Sequence, residues 1–294
     1  MNRYSSMLWN VFSLRFPQIA SRIMYWHIMG RMPHFNHPRD LNEKINYLKF
    51  HANLEEWARL TDKYAVREYI KERGLGDILV PLYGKYGSGE ELIEDWINLP
   101  DSFVIKSNHG CGTVKLVHNK HSINLSMIKK ETDGWLKKKF GVDTNEPHYK
   151  LIKPCIIVEK LLEDHSFLSF SKSIIDYKVW CFDGKPYSIL VVANRNYQTG
   201  SYQLDAYDVY WNRINGALTD VHGSCPSLLP KPKNYDKLLD YASILSKDHK
   251  QVRVDLYDID GKIYFGELTF TSQGGYMNYF TKDFLLEMGS QFEV

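Results

Sequence analysis

The sequence predicts an α+β fold, on three observations. Apolar residues in the first hundred positions recur at helical spacing. From Phe103 onward the hydrophobic period shortens to that of strands. Two hairpins, each turning at an Asp-Gly pair, occupy the second half of the chain. Strand pairs interleaved with helices point to α+β and away from a doubly wound parallel sheet. No internal repeat or low-complexity segment interrupts this pattern.

Leu41, Ile45 and Leu48 form a helical stripe after Pro38. Thr61 or Asp62 can cap the next helix, whose apolar stripe is Ala65, Val66, Tyr69 and Ile70 and whose end is Gly74. Gly84, Gly87 and Gly89 mark loops, and residues 91–97 make a short helix closed by Pro100. Residues 103–106 and 114–117 are strands joined by a small, glycine-bearing loop, 107–113. A polar helical stretch follows at 127–140, then a buried-looking strand at 155–159. Residues 176–182, the turn Asp183-Gly184 and residues 187–192 form the first hairpin. Residues 238–245 read as helix, and residues 252–258, Asp260-Gly261 and 263–270 as the last hairpin.

The 294 residues suit one large domain or two modest ones, and a hydrophobic share of 44% allows an ordinary core. A net charge of +2 gives no global signal for a polyanion partner, and no nucleic acid is expected. Cys111, Cys155, Cys181 and Cys225 form neither a CxxC pair nor a zinc-finger spacing, so free thiols in a reducing cytoplasm are expected. No apolar run is long enough to cross a bilayer, and no secretory signal pattern follows Arg3. Residues 1–39 lack Asp and Glu but carry Arg3, Arg15, Arg22, Arg31 and Arg39 among Trp9, Phe12, Phe16, Tyr25 and Trp26. Such a segment can lie on an anionic membrane surface or meet a lipid-linked substrate; helices packed on the main body give the same pattern.

Three constellations can carry chemistry. Lys106 ends a strand that runs into the glycine loop, where backbone amides can approach phosphate oxygens; a plain glycine hairpin has the same signature. No GK[ST] follows, so the loop is not a P-loop. Arg253-Val254-Asp255 and Glu267-Leu268-Thr269 lie on the two strands of the last hairpin. Two carboxylates with a flanking arginine suit Mg²⁺ and phosphate, although a solvated acidic face is the alternative. A two-residue turn at Asp260-Gly261 pairs Asp255 with Gly266 and sends Glu267 to the opposite face. A three-residue loop with a bulge at Gly261 pairs Asp255 with Glu267, so a metal site predicts a bulged loop. On the strand Asp176-Tyr177-Lys178, Asp176 and Lys178 share a face, as a surface ion pair or with Lys178 on a phosphate.

These pieces together resemble the ATP-grasp superfamily, and more closely its TupA-like branch, linked to teichuronopeptide and capsule biosynthesis. The segments are LNEKINYLKF from Leu41, TDKYAVREYI from Thr61, LPDSFVIKSNHGCG from Leu99, IIVEKLL from Ile156, DYKVWCFDGKP from Asp176 and VRVDLYDIDGKIYFGELTF from Val252. Each is short; six in this order are specific, and they cover roughly Pro38 to the C-terminus.

The resemblance implies an ATP-grasp fold, with ATP held between two α+β subdomains. It divides the chain into a helical N-terminal region (1–98), a subdomain with the phosphate lid (99–165) and a subdomain with the metal site (166–294). Lys106 looks like the phosphate-binding lysine, and the loop with Asn108, His109, Gly110 and Gly112 like the lid. Glu159 and Lys160 look like the adenine hinge, with Leu162 close by, and Asp164 or Glu163 like the ribose contact. Lys178 looks like a second phosphate contact. Asp255 and Glu267 match the acids that hold Mg²⁺ (or Mn²⁺), and Arg253 the catalytic arginine of carboxylate ligases. Two departures stand out. Thr269 occupies the place where many of these ligases carry Asn, and the usual nucleotide-fold domain ahead of the core is missing or reduced.

The implied activity is that of a cytoplasmic ATP-dependent carboxylate–amine ligase working through an acylphosphate. The implied partners are a small amine and a uronic acid or other carboxylate-bearing saccharide precursor. A phosphotransferase acting on a hydroxyl and a non-catalytic scaffold with a vestigial nucleotide site are the alternatives. His109 is read as a lid residue or phosphate contact ahead of a general base, because no partner for it is visible in the sequence.

Overall fold

The computed structural model describes residues 3–164, 170–196, 199–225 and 228–294, with backbone alone for residues 3–7 and 10. Its elements in chain order are α1 (Arg3–Arg15), α2 (Pro17–Met29), α3 (Leu41–His51), α4 (Leu54–Thr61), α5 (Val66–Glu72), β1 (Leu82–Tyr86) and α6 (Gly89–Glu94). Then follow β2 (Phe103–Ser107), β3 (Val114–Val117), α7 (Leu125–Leu136), β4 (Ile156–Glu159), β5 (Asp176–Phe182), β6 (Lys185–Ala193), β7 (Gln203–Asp208) and β8 (Gly223–Ser224). The chain ends with α8 (Tyr235–Ser246), β9 (Gln251–Ile259), β10 (Lys262–Thr269) and α9 (Lys282–Gly289). Helices with antiparallel sheets make the expected α+β class.

Two compact units share these elements. One comprises residues 53–142 and 146–162, the other residues 1–52, 143–145 and 163–294. Residues 1–52 belong to the larger unit and residues 53–98 to the smaller.

The smaller unit is built on a four-stranded antiparallel sheet in the order β1-β4-β2-β3. Phe103 and Ile105 of β2 and Ile156 and Val158 of β4 point to its core, with Trp96, Leu92 and Ile128 from the covering segments. Strand alternation sends Lys106 and Glu159 to the opposite face. Side-chain caps start its helices: Asn53, Ser88 and Asn124 accept the amides of Glu56, Glu91 and Met127. Asp62 caps a turn ahead of α5 by accepting the amides of Tyr64 and Ala65, while Thr61 closes α4. Gly84 lies within β1 and not in a loop; the register shifts there, and a Cβ would fall on the Tyr86 ring.

The larger unit carries a six-stranded sheet in the order β10-β9-β5-β6-β7-β8, antiparallel except for β7 with β8. Helix α8 packs on one face, over β5, β6 and β9. On the other face Trp180, Phe182, Leu190, Val192, Leu204 and Ala206 form a core with residues of α3, α9 and the segment 277–280. Asp176 and Lys178 continue the row of Trp180 on this face, and Arg253 and Asp255 stand opposite Trp180 and Lys178 on β9. The charged residues thus lie at the edge of a dry core.

The last hairpin turns at two residues, Asp260 (φ 49°) and Gly261 (φ 80°), with Ile259 paired to Lys262. This departs from the bulged loop anticipated at Gly261. Asp255 nevertheless pairs with Glu267, because the register shifts between Phe265 and Glu267 and leaves Gly266 as the extra residue. A Cβ at Gly266 would lie 3.0 Å from the Asp255 carbonyl oxygen and 3.2 Å from the Tyr257 ring, so a side chain there would press on the bulge. The four cysteines are free thiols, and only Cys111 is exposed.

Candidate active site

Register brings Lys178, Asp255, Arg253, Glu267 and Thr269 together on three neighbouring strands. Lys178 stands opposite Asp255, Glu267 opposite Asp255, and Thr269 opposite Arg253. Arg253 donates from Nε to Asp255 Oδ1 at 2.7 Å and from a terminal nitrogen to Oδ2 at 2.8 Å. The same nitrogen reaches Glu267 Oε1 at 3.3 Å and Thr269 Oγ1 at 3.1 Å. The other terminal nitrogen donates to Ser272 Oγ. Of the five guanidinium N–H groups, this leaves one on the Ser272 side for a further acceptor.

Lys178 donates to Asp255 and lies 3.1 Å from Asp176 Oδ2. The pair Asp176–Lys178 is not a surface ion pair, since both side chains are only 12% exposed. Burial by itself lowers the Lys178 ammonium, but Asp176 and Asp255 outweigh it and hold it above the ordinary lysine value. Burial likewise pushes the Asp255 carboxyl up, against the pull of Arg253 and Lys178. Asp255 is thus a carboxylate that depends on its two cations.

The donor set suits a hard cation. Asp255 and Glu267 offer carboxylate oxygens on adjacent strands, and the Thr269 hydroxyl donates to Glu267 at 3.0 Å. Glu267 is 31% exposed and Asp255 1%. No group of three or more His, Cys, Asp or Glu that could hold a metal occurs among the described residues. The arrangement therefore fits Mg²⁺ only in the mode where one or two carboxylates are completed by phosphate and water.

Side chains that the sequence reading did not single out complete a ring around this centre. Arg195 reaches Asp176 at 3.4 Å, and its guanidinium lies 5.2 Å from the Tyr202 ring centre. Tyr202 stacks on His222 at 4.4 Å, and His222 meets Tyr279 edge-on at 6.3 Å. Tyr279 lies 3.5 Å from Ser272, the partner of Arg253. Contacts thus run from Arg195 through Asp176, Lys178, Asp255, Arg253, Ser272, Tyr279, His222 and Tyr202 back to Arg195. Asp176 Oδ1, buried, has no hydrogen-bond partner among the described residues. No local motif marks Arg195, Tyr202 or His222: the first two lie in the connection between β6 and β7, and His222 directly precedes β8.

The smaller unit carries the remaining candidates. Lys106 Nζ donates to Glu159 Oε2 at 2.9 Å, and Arg67 donates to Glu159 Oε1 at 3.1 Å and to the Val80 carbonyl at 2.9 Å. Glu159, expected at an adenine hinge, here gathers two cations, and the role of Arg67 was not visible from sequence. The Lys160 amide donates to the Pro81 carbonyl at 2.9 Å, and the Lys160 side chain is exposed. Leu162 is half-buried. Asp164 belongs to the larger unit, close enough to Tyr177 to act with burial and Asp258 in pushing that phenol up.

Asn108 is a structural tie. It donates to Asp62 Oδ2 at 2.8 Å and to the Lys153 carbonyl at 3.0 Å, and it accepts the Cys155 amide at 2.8 Å. Its side chain is fully buried and anchors the loop. His109 is buried between Asn108 Oδ1 and the Lys138 carbonyl, each at 3.3 Å. Burial, with Lys63 and Lys138 nearby, holds its imidazole below the ordinary histidine value. Gly110 (φ 73°) abuts the Phe140 ring, whereas Gly112 (φ 73°) faces open space. The exposed part of the loop is Cys111 and Gly112.

The model of the TupA-like ATP-grasp family matches residues 43–293. No curated protein matches the chain. Among solved structures, the chain is similar to N5-carboxyaminoimidazole ribonucleotide synthetase PurK in its ADP complex, at 14% identity and TM-score 0.43, covering 78% of this chain and 50% of that one. It is similar to D-alanine–D-alanine ligase from Bacillus anthracis complexed with ATP, at 16% identity and TM-score 0.46, covering 80% and 66%. The corresponding Helicobacter pylori ligase gives 15% identity and TM-score 0.43, covering 87% and 67%. The chain spans about half to two thirds of the length of these proteins. With the family model spanning most of it, the chain belongs to the TupA-like ATP-grasp family.

Proposed function

We propose that the protein is an ATP- and Mg²⁺-dependent carboxylate–amine ligase that works in the cytoplasm. Its acceptor is a uronic acid or amino-acid carboxylate of a cell-surface polysaccharide precursor, and its second substrate a small amine. The observation that carries this reading is the Arg253–Asp255–Glu267 constellation, which pairs a buried arginine with two carboxylates across a glycine bulge.

A carboxylate oxygen of the acceptor attacks the γ-phosphorus of ATP, and ADP leaves. The amine nitrogen then attacks the acyl carbon, inorganic phosphate leaves and the nitrogen loses its proton. Lys178 and Lys106 neutralise charge on the phosphates. The remaining N–H of Arg253 meets the oxyanion that forms when the amine adds. Mg²⁺ or Mn²⁺, held by Asp255 and Glu267 with Thr269 alongside, would clamp phosphate oxygens. Arg195, Tyr202 and His222 form the rim on which the saccharide rests, since an aromatic face suits a sugar ring and a guanidinium a second carboxylate.

Hydroxylamine trapping tests the reading. With Mg²⁺, ATP and a panel of uronates, the ligase releases ADP and gives an acyl hydroxamate. ADP release with a stable phosphorylated hydroxyl assigns the site to a kinase, and no binding of Mg-ATP by calorimetry assigns it to a scaffold.

A further inference from the structure

The first two helices expose apolar side chains that no element among the described residues covers. Leu8, Val11 and Leu14 on α1 and Ile19, Ile23 and Trp26 on α2 are each between 42% and 72% exposed. On α2 the positions i, i+4 and i+7 make one stripe. The opposite face is anchored: Ala20, Ser21 and Tyr25 are buried, and Tyr25 packs against Phe35 and Tyr276. Its hydroxyl donates to Asp40 at 3.1 Å, and Arg31 bonds both Asp40 and Glu43. The inward face thus fixes how α2 sits on its own unit, and the outward face carries apolar residues where a solvated helix carries polar ones.

Charge identifies what covers it. The first 39 residues contain no Asp or Glu. Arg15 lies exposed beside Phe16, and Arg22 is held by Asn36 at 3.0 Å next to the Phe35 ring. A second copy docked face to face about a two-fold axis would set these arginines near their own counterparts with no acid on either helix to pair them. An anionic bilayer accepts both features: apolar side chains enter the acyl boundary while arginines reach lipid phosphates. Each helix has 13 residues, about 20 Å at the usual rise. No helix among the described residues is long and apolar enough to cross a membrane, so α1 and α2 would lie in the surface plane.

We infer that α1 and α2 dock the protein on an anionic lipid surface through this face. The inference stands apart from the nucleotide chemistry, and its test needs neither ATP nor substrate. The full chain is sedimented with vesicles of equal parts phosphatidylglycerol and phosphatidylcholine, and with vesicles of phosphatidylcholine alone. Binding is expected on the first and not the second, and it should weaken as salt rises. Ile19→Glu with Ile23→Glu should lower the partition by about tenfold or more, and Arg15→Ala or Arg22→Ala by about fivefold each. Circular dichroism checks that each variant keeps its helices. Failure of the unaltered protein to bind anionic vesicles at low salt overturns the inference, and so does equal binding to both vesicles. A dimer in light scattering that the double variant abolishes assigns the face to a second copy and overturns it as well.

Discussion

Lys178 and Lys106 are both strand lysines offered to phosphate, yet their settings differ. Lys178 is locked among Asp176, Asp255 and Arg253 at the edge of a core and is 12% exposed. Lys106 is 30% exposed and meets a single carboxylate, Glu159, which Arg67 also holds. The first setting ties charge to stability; the second leaves the ammonium free to change partners. A cation in the second setting can turn to an incoming anion without unbalancing its neighbours, whereas one in the first meets it while still held by its two acids.

The sharpest way to break this contrast is to remove one charge from each. Asp255→Ala removes the carboxylate that Arg253 and Lys178 share and leaves two buried cations on their weaker partners, and a loss of about 3–5 kcal/mol is expected in urea unfolding. Lys106→Ala leaves Glu159 with Arg67 and should cost about 1 kcal/mol at most, while Mg-ATP affinity in calorimetry falls by about tenfold or more. Equal losses of stability would end the distinction.

The glycines sharpen it further. Gly110→Ala combines a left-handed backbone with overlap on Phe140 and should cost about 2–4 kcal/mol. Gly266→Ala presses on the Asp255 carbonyl and should cost about 1–3 kcal/mol, with a raised Mg²⁺ requirement for ADP release as Glu267 is displaced. Gly112→Ala meets open space and should cost about 1 kcal/mol, from its backbone alone. A scan in which Gly112 proves as intolerant as Gly110 would show that the exposed tip, and not its anchor, is the constrained part of the loop.

The smallest effect is that of pH on His109. Its folded imidazole titrates below the ordinary value of 6.5, so the unfolded chain binds the extra proton first. The associated stability is complete above about pH 6.5 and is lost as pH falls toward the folded value. The melting temperature should decline over that window, and His109→Asn should flatten the decline. An unchanged slope in the variant would place the responsible group elsewhere.

Much of the larger unit's site was legible because strand chemistry is local. Alternation placed Asp176 with Lys178, and the spacing of Arg253, Asp255, Glu267 and Thr269 around an Asp-Gly turn put them on paired strands. The means of pairing was not legible. A tight turn and a bulge at Gly266 satisfy the same constraint as a bulged loop, and the choice rests on packing of Gly266 against Asp255 and Tyr257. Gly84 read as a loop marker because glycine punctuates most strands; in β1 it is needed where the Tyr86 side chain crosses the backbone. The resemblance placed Asn108 in the lid loop, but not the bonds to Asp62, Lys153 and Cys155 that draw its side chain inward, because those partners lie far away in the chain.

By itself the sequence determined the class of the fold, the two Asp-Gly hairpins, the acid-free N-terminal helices and the short motifs that mark the family. These follow from local periodicity, turn chemistry and composition, which act over a few residues. Only the tertiary structure decided that Asp176–Lys178 is buried, that Arg195, Tyr202 and His222 close a ring with Arg253, and that Glu159 holds both Lys106 and Arg67. Burial and electrostatic partnership depend on which distant segments meet, and no short stretch of chain carries that information.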